Sequence, residues 1–142
     1  MLRLIVGKKE DEKRIQSFIK ASEAIYDADC MFILAENEGE ELLAVMGFQV
    51  IDQFCLLRSF VFSSGFPAEN LPLVFEKIIG KARELGCHSI GLATHKETNI
   101  TFFEAFGFSC LEEGKVPDAV KLSTAYKRIQ AFSPLFFMWK AL

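Results

Sequence analysis

The chain has 142 residues, 51% of them hydrophobic and 25% charged, with a formal net charge of −3 at pH 7. That length and composition describe one folded domain with a sizeable core and exclude a disordered chain. The acidic balance and the lack of any block of basic residues point away from nucleic acid as a partner.

The elements follow in order. Leu2–Val6 reads as a short strand. A helix comes next, with Ile15, Phe18, Ile19, Ile25 and Tyr26 on one stripe of helical period. Met31–Ala35 is the continuous apolar run of a buried strand, and Glu36–Glu40 is a polar turn. Leu42–Val50 is a longer strand, with a bulge expected at Gly47. Asp52 and Gln53 break the chain before a strand over Phe54–Phe62, which completes an antiparallel meander of three strands.

The second half changes rhythm. Ser63–Asn70 is a loop. From Leu71 through Val74, Ile78 and Ala82 to Leu85 the apolar residues keep helical spacing, and Gly86 closes the helix. Ser89–Thr94 is a strand, Asn99–Phe106 a short helix stopped by Gly107, and Phe108–Leu111 an extended stretch. Pro117 to Lys127 is expected to be helical, and Leu135–Leu142 is the last strand. A crossover of the length between Phe54 and Thr94 joins two parallel strands with a right-handed connection. Such a junction binds ligands at the carboxyl ends of its parallel strands, facing a helix N-terminus.

Phe supplies 15 residues against two Tyr and one Trp. Phe has no polar tip, so this aromatic mass belongs first to the core. Phe132, Phe136, Phe137 and Trp139 are expected in the core, and any exposed part of that group is a dimerisation surface, so a homodimer is the oligomer to look for. No apolar run reaches membrane-span length, and Met1–Lys9 has too short an apolar stretch for a secretory signal. Cys30, Cys55, Cys87 and Cys110 form no C-x-x-C pair. Four free, mostly buried thiols in a reducing cytoplasm are expected, with no metal.

Two sequence features go further. Leu57-Arg58-Ser59-Phe60-Val61-Phe62 precedes a loop and a helix ending Ala82-Arg83-Glu84-Leu85-Gly86, and the box Phe102-Phe103-Glu104-Ala105-Phe106-Gly107-Phe108 follows the next strand. Together they resemble the GNAT superfamily of acyl-CoA-dependent N-acyltransferases over nearly the whole chain. The stretch from Glu113 to Lys140 is similar to the amino-acid (glutamate-type) N-acetyltransferase branch. The resemblance implies an α/β (α+β) fold: a single GNAT-like domain over 1–142, with a mixed, mostly antiparallel sheet of six to seven strands and helices on both faces. It implies acetyl-CoA as co-substrate and a small-molecule primary amine as acceptor. Backbone groups of Phe60, Val61 and Phe62 would pair with the pantetheine arm. Pro67, Ala68, Asn70 and Leu71 would lie at the pyrophosphate, and Phe103 beside the arm.

The sequence departs from the family pattern twice. Where the family has R/Q-x-x-G-x-G/A, this chain has Phe66-Pro67-Ala68-Glu69-Asn70-Leu71-Pro72, without Arg, Gln or Gly, and with two prolines that lack an N–H. Where many members have Tyr as general acid, it has Phe103. Arg58 lies in the middle of an otherwise apolar strand, which needs a partner for its charge. One reading is a clamp for a substrate carboxylate; the others are an ion pair with Asp52 or a Glu, or exposure on the solvated face. His95, at the carboxyl end of its strand, is the candidate general base for the amine, or else an exposed loop histidine. Two functions remain open: an N-acyltransferase, with Arg58 and His95 as its catalytic candidates, and a non-catalytic module of the same fold that binds a ligand or partner.

Overall fold

A computed structural model describes residues 2–131 and 134–142, so Met1, Phe132 and Ser133 lie outside the described residues. The described residues form seven strands: β1 (Arg3–Val6), β2 (Met31–Glu36), β3 (Leu42–Ile51), β4 (Phe54–Phe62), β5 (Ser89–Thr94), β6 (Ser109–Leu111) and β7 (Phe136–Ala141). They form one mixed sheet in the order β1-β2-β3-β4-β5-β7-β6. The helices are α1 (Glu12–Ala21), α2 (Leu71–Glu84), α3 (Glu97–Glu104), α4 (Asp118–Lys121) and α5 (Thr124–Gln130). The chain divides into two compact units, Met1–Gln49 with Leu57–Ile78 and Val50–Leu56 with Ile79–Leu142.

In the first unit β1 runs antiparallel to β2, with Ile5 opposite Leu34, and β2 antiparallel to β3, with Leu34 opposite Val45. The β2 run is buried from Phe32 to Glu36, as a continuous apolar segment requires. Ile15 and Ile19, four residues apart on α1, close over Phe32, Leu34, Val45 and Val61. The helical stripe stops earlier than the spacing suggested. Ala24 N–H donates to the Ile19 carbonyl and Glu23 N–H to the Lys20 carbonyl, with Glu23 at φ 59, the left-handed closure of a helix. Ile25 is therefore outside the helix and 76% exposed, while Tyr26 stacks on Phe32 at 5.7 Å.

Gly47 is not a bulge. It stands in regular register with Phe32, and the register shifts instead between Ala35 and Glu36. The glycine makes room: a Cβ there would lie 3.0 Å from the Phe32 ring. Glu36 itself is fully buried. Its carboxylate accepts from Arg3 Nε at 2.8 Å and Arg3 Nη2, and from Arg14 Nη1 at 3.0 Å. Arg14 Nε also reaches Asp11 at 3.0 Å. A buried carboxylate is tolerable only with such partners.

In the second unit β4 and β5 are parallel, as the crossover requires, with Phe54, Cys55 and Leu56 opposite Ser89, Ile90 and Gly91. β7 is antiparallel to both β5 and β6. The core gathers Phe54, Leu56, Val116, Val120, Tyr126 and Phe137. Gly91 has no space for a side chain, since a Cβ would meet the Met138 carbonyl oxygen and the Phe54 ring. α3 begins and ends two residues before the expected Asn99–Phe106. Its end is the same closure as at Glu23: Phe108 N–H donates to the Phe103 carbonyl and Gly107 N–H to that of Glu104. The helix expected over Pro117–Lys127 is two short ones. Ser123 Oγ accepts the Tyr126 N–H at 3.2 Å, so a new helix is capped where one continuous helix was expected.

Candidate active site

The second half of β4 belongs to the first unit. Its side chains alternate, as a strand's must. Val61 is buried against the α1 side of the core. Phe60 lies edge-on to Phe75 at 5.6 Å and to Phe62 at 6.1 Å, and Phe62 packs on Phe66 at 4.9 Å. Arg58 is in the same row as Phe60 and Phe62. Its Nη2 donates to Asp27 Oδ2 at 2.7 Å and its Nη1 to Gln49 Oε1 at 3.1 Å. The partner is thus Asp27, from the segment after α1, and not Asp52. Both side chains of the pair are 14% exposed. Burial pushes the neighbouring Cys30 thiol up to about 11, against the pull of Arg58.

Beyond β4 the chain turns sharply. Ser63 N–H donates to the Leu43 carbonyl and Phe66 N–H to that of Ser63. Ser63 Oγ is buried with no hydrogen-bond partner among the described residues. A single 3-10 turn, Ala68–Asn70, then leads into α2. It occupies two of the amides the sequence placed at a phosphate: Asn70 N–H donates to the Pro67 carbonyl and Leu71 N–H to that of Ala68. Pro67 and Pro72 have no N–H to offer. Ala68 and Glu69 are exposed at the head of the helix.

The remaining candidates belong to the second unit. His95 is exposed, one residue past β5. Phe103 is 7% exposed on α3, edge-on to Phe102 at 5.0 Å and to Phe108 at 5.6 Å. Thr94, the last residue of β5, is 5% exposed. Its Oγ1 accepts from Lys96 N–H at 3.2 Å and from Asn99 Nδ2 at 2.9 Å. Neither Thr94 nor Asp27 stands out in the sequence. Their only signal there is a small polar residue beside an apolar element. Among the described residues no group of three His, Cys, Asp or Glu side chains could hold a metal, and no helix is long and apolar enough to cross a membrane.

No family model matches the sequence, and no curated protein matches it. Solved structures do match. An acetyltransferase of GNAT family from Staphylococcus aureus Mu50 superposes with a TM-score of 0.74 at 17% identity, over 100% of this chain and 99% of that one. The fold is the GNAT fold. N-acetylglutamate synthase from Neisseria gonorrhoeae, complexed with coenzyme A and N-acetyl-glutamate, gives a TM-score of 0.78 at 14% identity over 100% of this chain and 35% of that one. A Mycobacterium tuberculosis protein in complex with CoA gives 0.71 at 13% identity, over 97% and 99% of the two chains. Within the GNAT fold, β4, the turn after it and the head of α2 are the elements that the sequence resemblance assigned to acyl-CoA. They are present here with a proline-flanked 3-10 turn where the family pattern has glycines.

Proposed function

We propose that this chain, acting over 1–142 as one domain, transfers an acyl group from acyl-CoA to the primary amine of a small carboxylated acceptor. The observation that carries the reading is the parallel junction of β4 and β5 within an otherwise antiparallel GNAT sheet. Two of the matched structures are CoA complexes, at TM-scores of 0.78 and 0.71, and share that fold.

The chain's own residues divide the work as follows. The backbone of Phe60–Phe62 pairs with the pantetheine arm, and the Val61 amide faces the oxyanion. Arg58 takes the acceptor's carboxylate in competition with Asp27. His95 accepts the proton of the attacking amine, whose nitrogen lone pair forms the new amide bond. The C–S bond breaks and CoA leaves as thiolate. A thiol's reference pKa of about 8.5 makes that departure feasible without the acid that Phe103 cannot be. The phosphates face the Ala68 and Glu69 end of α2, with Pro67, Asn70 and Leu71 shaping the turn.

A second reading, a non-catalytic binding module, is favoured by the two occupied amides at Asn70 and Leu71 and by Phe at position 103. Turnover separates the two. With acetyl-CoA and a panel of amino acids, the enzyme releases free CoA in amounts that depend on the acceptor, followed by chromatography. A release rate that no acceptor changes contradicts the enzyme.

A further inference from the structure

We infer that two copies of this chain associate along β6, extending the sheet antiparallel across a two-fold axis that passes beside Cys110. β6 is the outermost strand of the sheet. Among the described residues its ladder partner is β7 alone, so the row of N–H and C=O groups on its other side is open to pairing. Ser109 and Cys110 are exposed. The strand, Ser-Cys-Leu, carries neither charge nor proline, the usual blocks on an open edge. Of the C-terminal aromatics, Phe137 is buried and Phe136 and Trp139 are half-buried, so they leave the edge itself as the open surface.

A second copy is the occupant because the edge is complementary to itself. The strand has three residues, so full overlap in an antiparallel pair needs the register centred on Cys110, with Ser109 opposite the partner's Leu111. Just beyond the strand the same register brings Gly107 to the partner's Glu113. A Cβ on Gly107 would meet Lys140 Nζ at 2.5 Å, so the ammonium stands over that glycine. It has no carboxylate partner among the described residues. In the pair it meets an acidic residue of the other copy, twice by symmetry. Parallel pairing would instead set Glu112 and Glu113 against their own copies. Three residues per strand bury little area, so the association belongs to the weak, transient class below about 1,200 Å².

Oxidation by copper–phenanthroline in air tests this: two Cys110 thiols give up two protons and two electrons and form one S–S bond between copies. Directly opposed Cα atoms in an antiparallel pair are about 4.5–5.5 Å apart, within the roughly 4.4–6.8 Å that a disulfide spans. Diagonal ones are about 7–8 Å apart, beyond that span. Wild type should therefore give a disulfide-linked dimer and Cys110→Ser none. In the Cys110→Ser background, Ser109→Cys or Leu111→Cys alone should link slowly, and a mixture of the two quickly, since those positions face each other. Glu113→Lys and Lys140→Glu should each slow the Cys110 link roughly 5- to 10-fold, through two ion pairs per dimer, and the two together should restore it. Equal rates at positions 109, 110 and 111, the mark of random collision, overturn the inference, as does a mixture no faster than its parts. So does sedimentation equilibrium of the reduced protein that gives the mass of one chain at every concentration. A dimer in sedimentation that Glu113→Lys leaves unchanged would lie on another face and overturns it too.

Discussion

Arg58 on β4 and Asp27 after α1 form a 2.7 Å ion pair that is nearly closed to solvent. Asp27 works twice, since its other oxygen accepts the Asp29 N–H at 2.9 Å. It therefore holds the 22–30 segment in shape and neutralises a cation in an apolar strand. Asp27→Ala leaves Arg58 with Gln49 alone and should cost about 2 kcal/mol in denaturant unfolding, below the 3–5 kcal/mol typical of a fully buried pair. If Arg58 binds the acceptor's carboxylate, the same variant should lower KM for that acceptor, because the competitor is gone.

Glu36 is one of two carboxyls, with Asp11, whose ordinary value is lowered in this cluster. Hydrogen bonds from Arg3, then Arg14, outweigh its burial and hold its carboxyl below the ordinary range. A carboxylate with a depressed folded value stabilises fully above its unfolded value, about 4.3, and loses that contribution as pH falls through the folded value. Stability measured from pH 7 downward should therefore fall below about pH 4. Glu36→Gln should be less stable at pH 7 by roughly 2–3 kcal/mol and should flatten the acid slope. An unchanged slope would place the acid sensitivity elsewhere.

Glu23, Gly86 and Gly107 all sit at positive φ, at 59°, 82° and 91°, and all three close a helix in the same hydrogen-bonding pattern. The two glycines announced their helix ends in the sequence, because only glycine takes that conformation without strain. Glu23 does not, and the apolar stripe of α1 continues in the sequence to Tyr26. Gly47 misled for the opposite reason: its lack of a side chain serves the Phe32 ring and not the backbone. The strands and the parallel junction were legible because apolar runs and crossover length determine them. The ion pair at Asp27 and the occupied amides at Asn70 and Leu71 were not, because they depend on contacts between segments and on turn geometry. Glu23→Gly tests this account of α1. It should raise unfolding free energy by about 1 kcal/mol by removing left-handed strain, where the same change inside a helix would lower it.

All four cysteines are free, but only Cys110 is exposed. Burial pushes Cys55 up to about 12 and Cys30 to about 11, and raises Cys87. The native protein at pH 7 should thus show one fast-reacting thiol with a disulfide reagent, lost in Cys110→Ser, and four after denaturation without reductant. Fewer than four would mean a disulfide in the protein.

Glu69, exposed at the head of α2, stands where the phosphates of acyl-CoA belong on this account. A helix terminus contributes about 0.3–1 kcal/mol to an exposed anion, and a carboxylate beside it opposes that. Glu69→Arg should tighten acetyl-CoA binding about tenfold, the worth of roughly 1.4 kcal/mol. Unchanged or weaker binding would move the phosphates away from this turn.

Thermal unfolding with and without millimolar acetyl-CoA tests the central claim most directly. A ligand that binds only the native state adds RT ln(1 + [L]/Kd), about 1.4 kcal/mol at ten times Kd, or about 4 °C in Tm for a chain of this size. The account predicts a rise of that order that grows with acetyl-CoA concentration. A Tm that does not move at millimolar acetyl-CoA contradicts it.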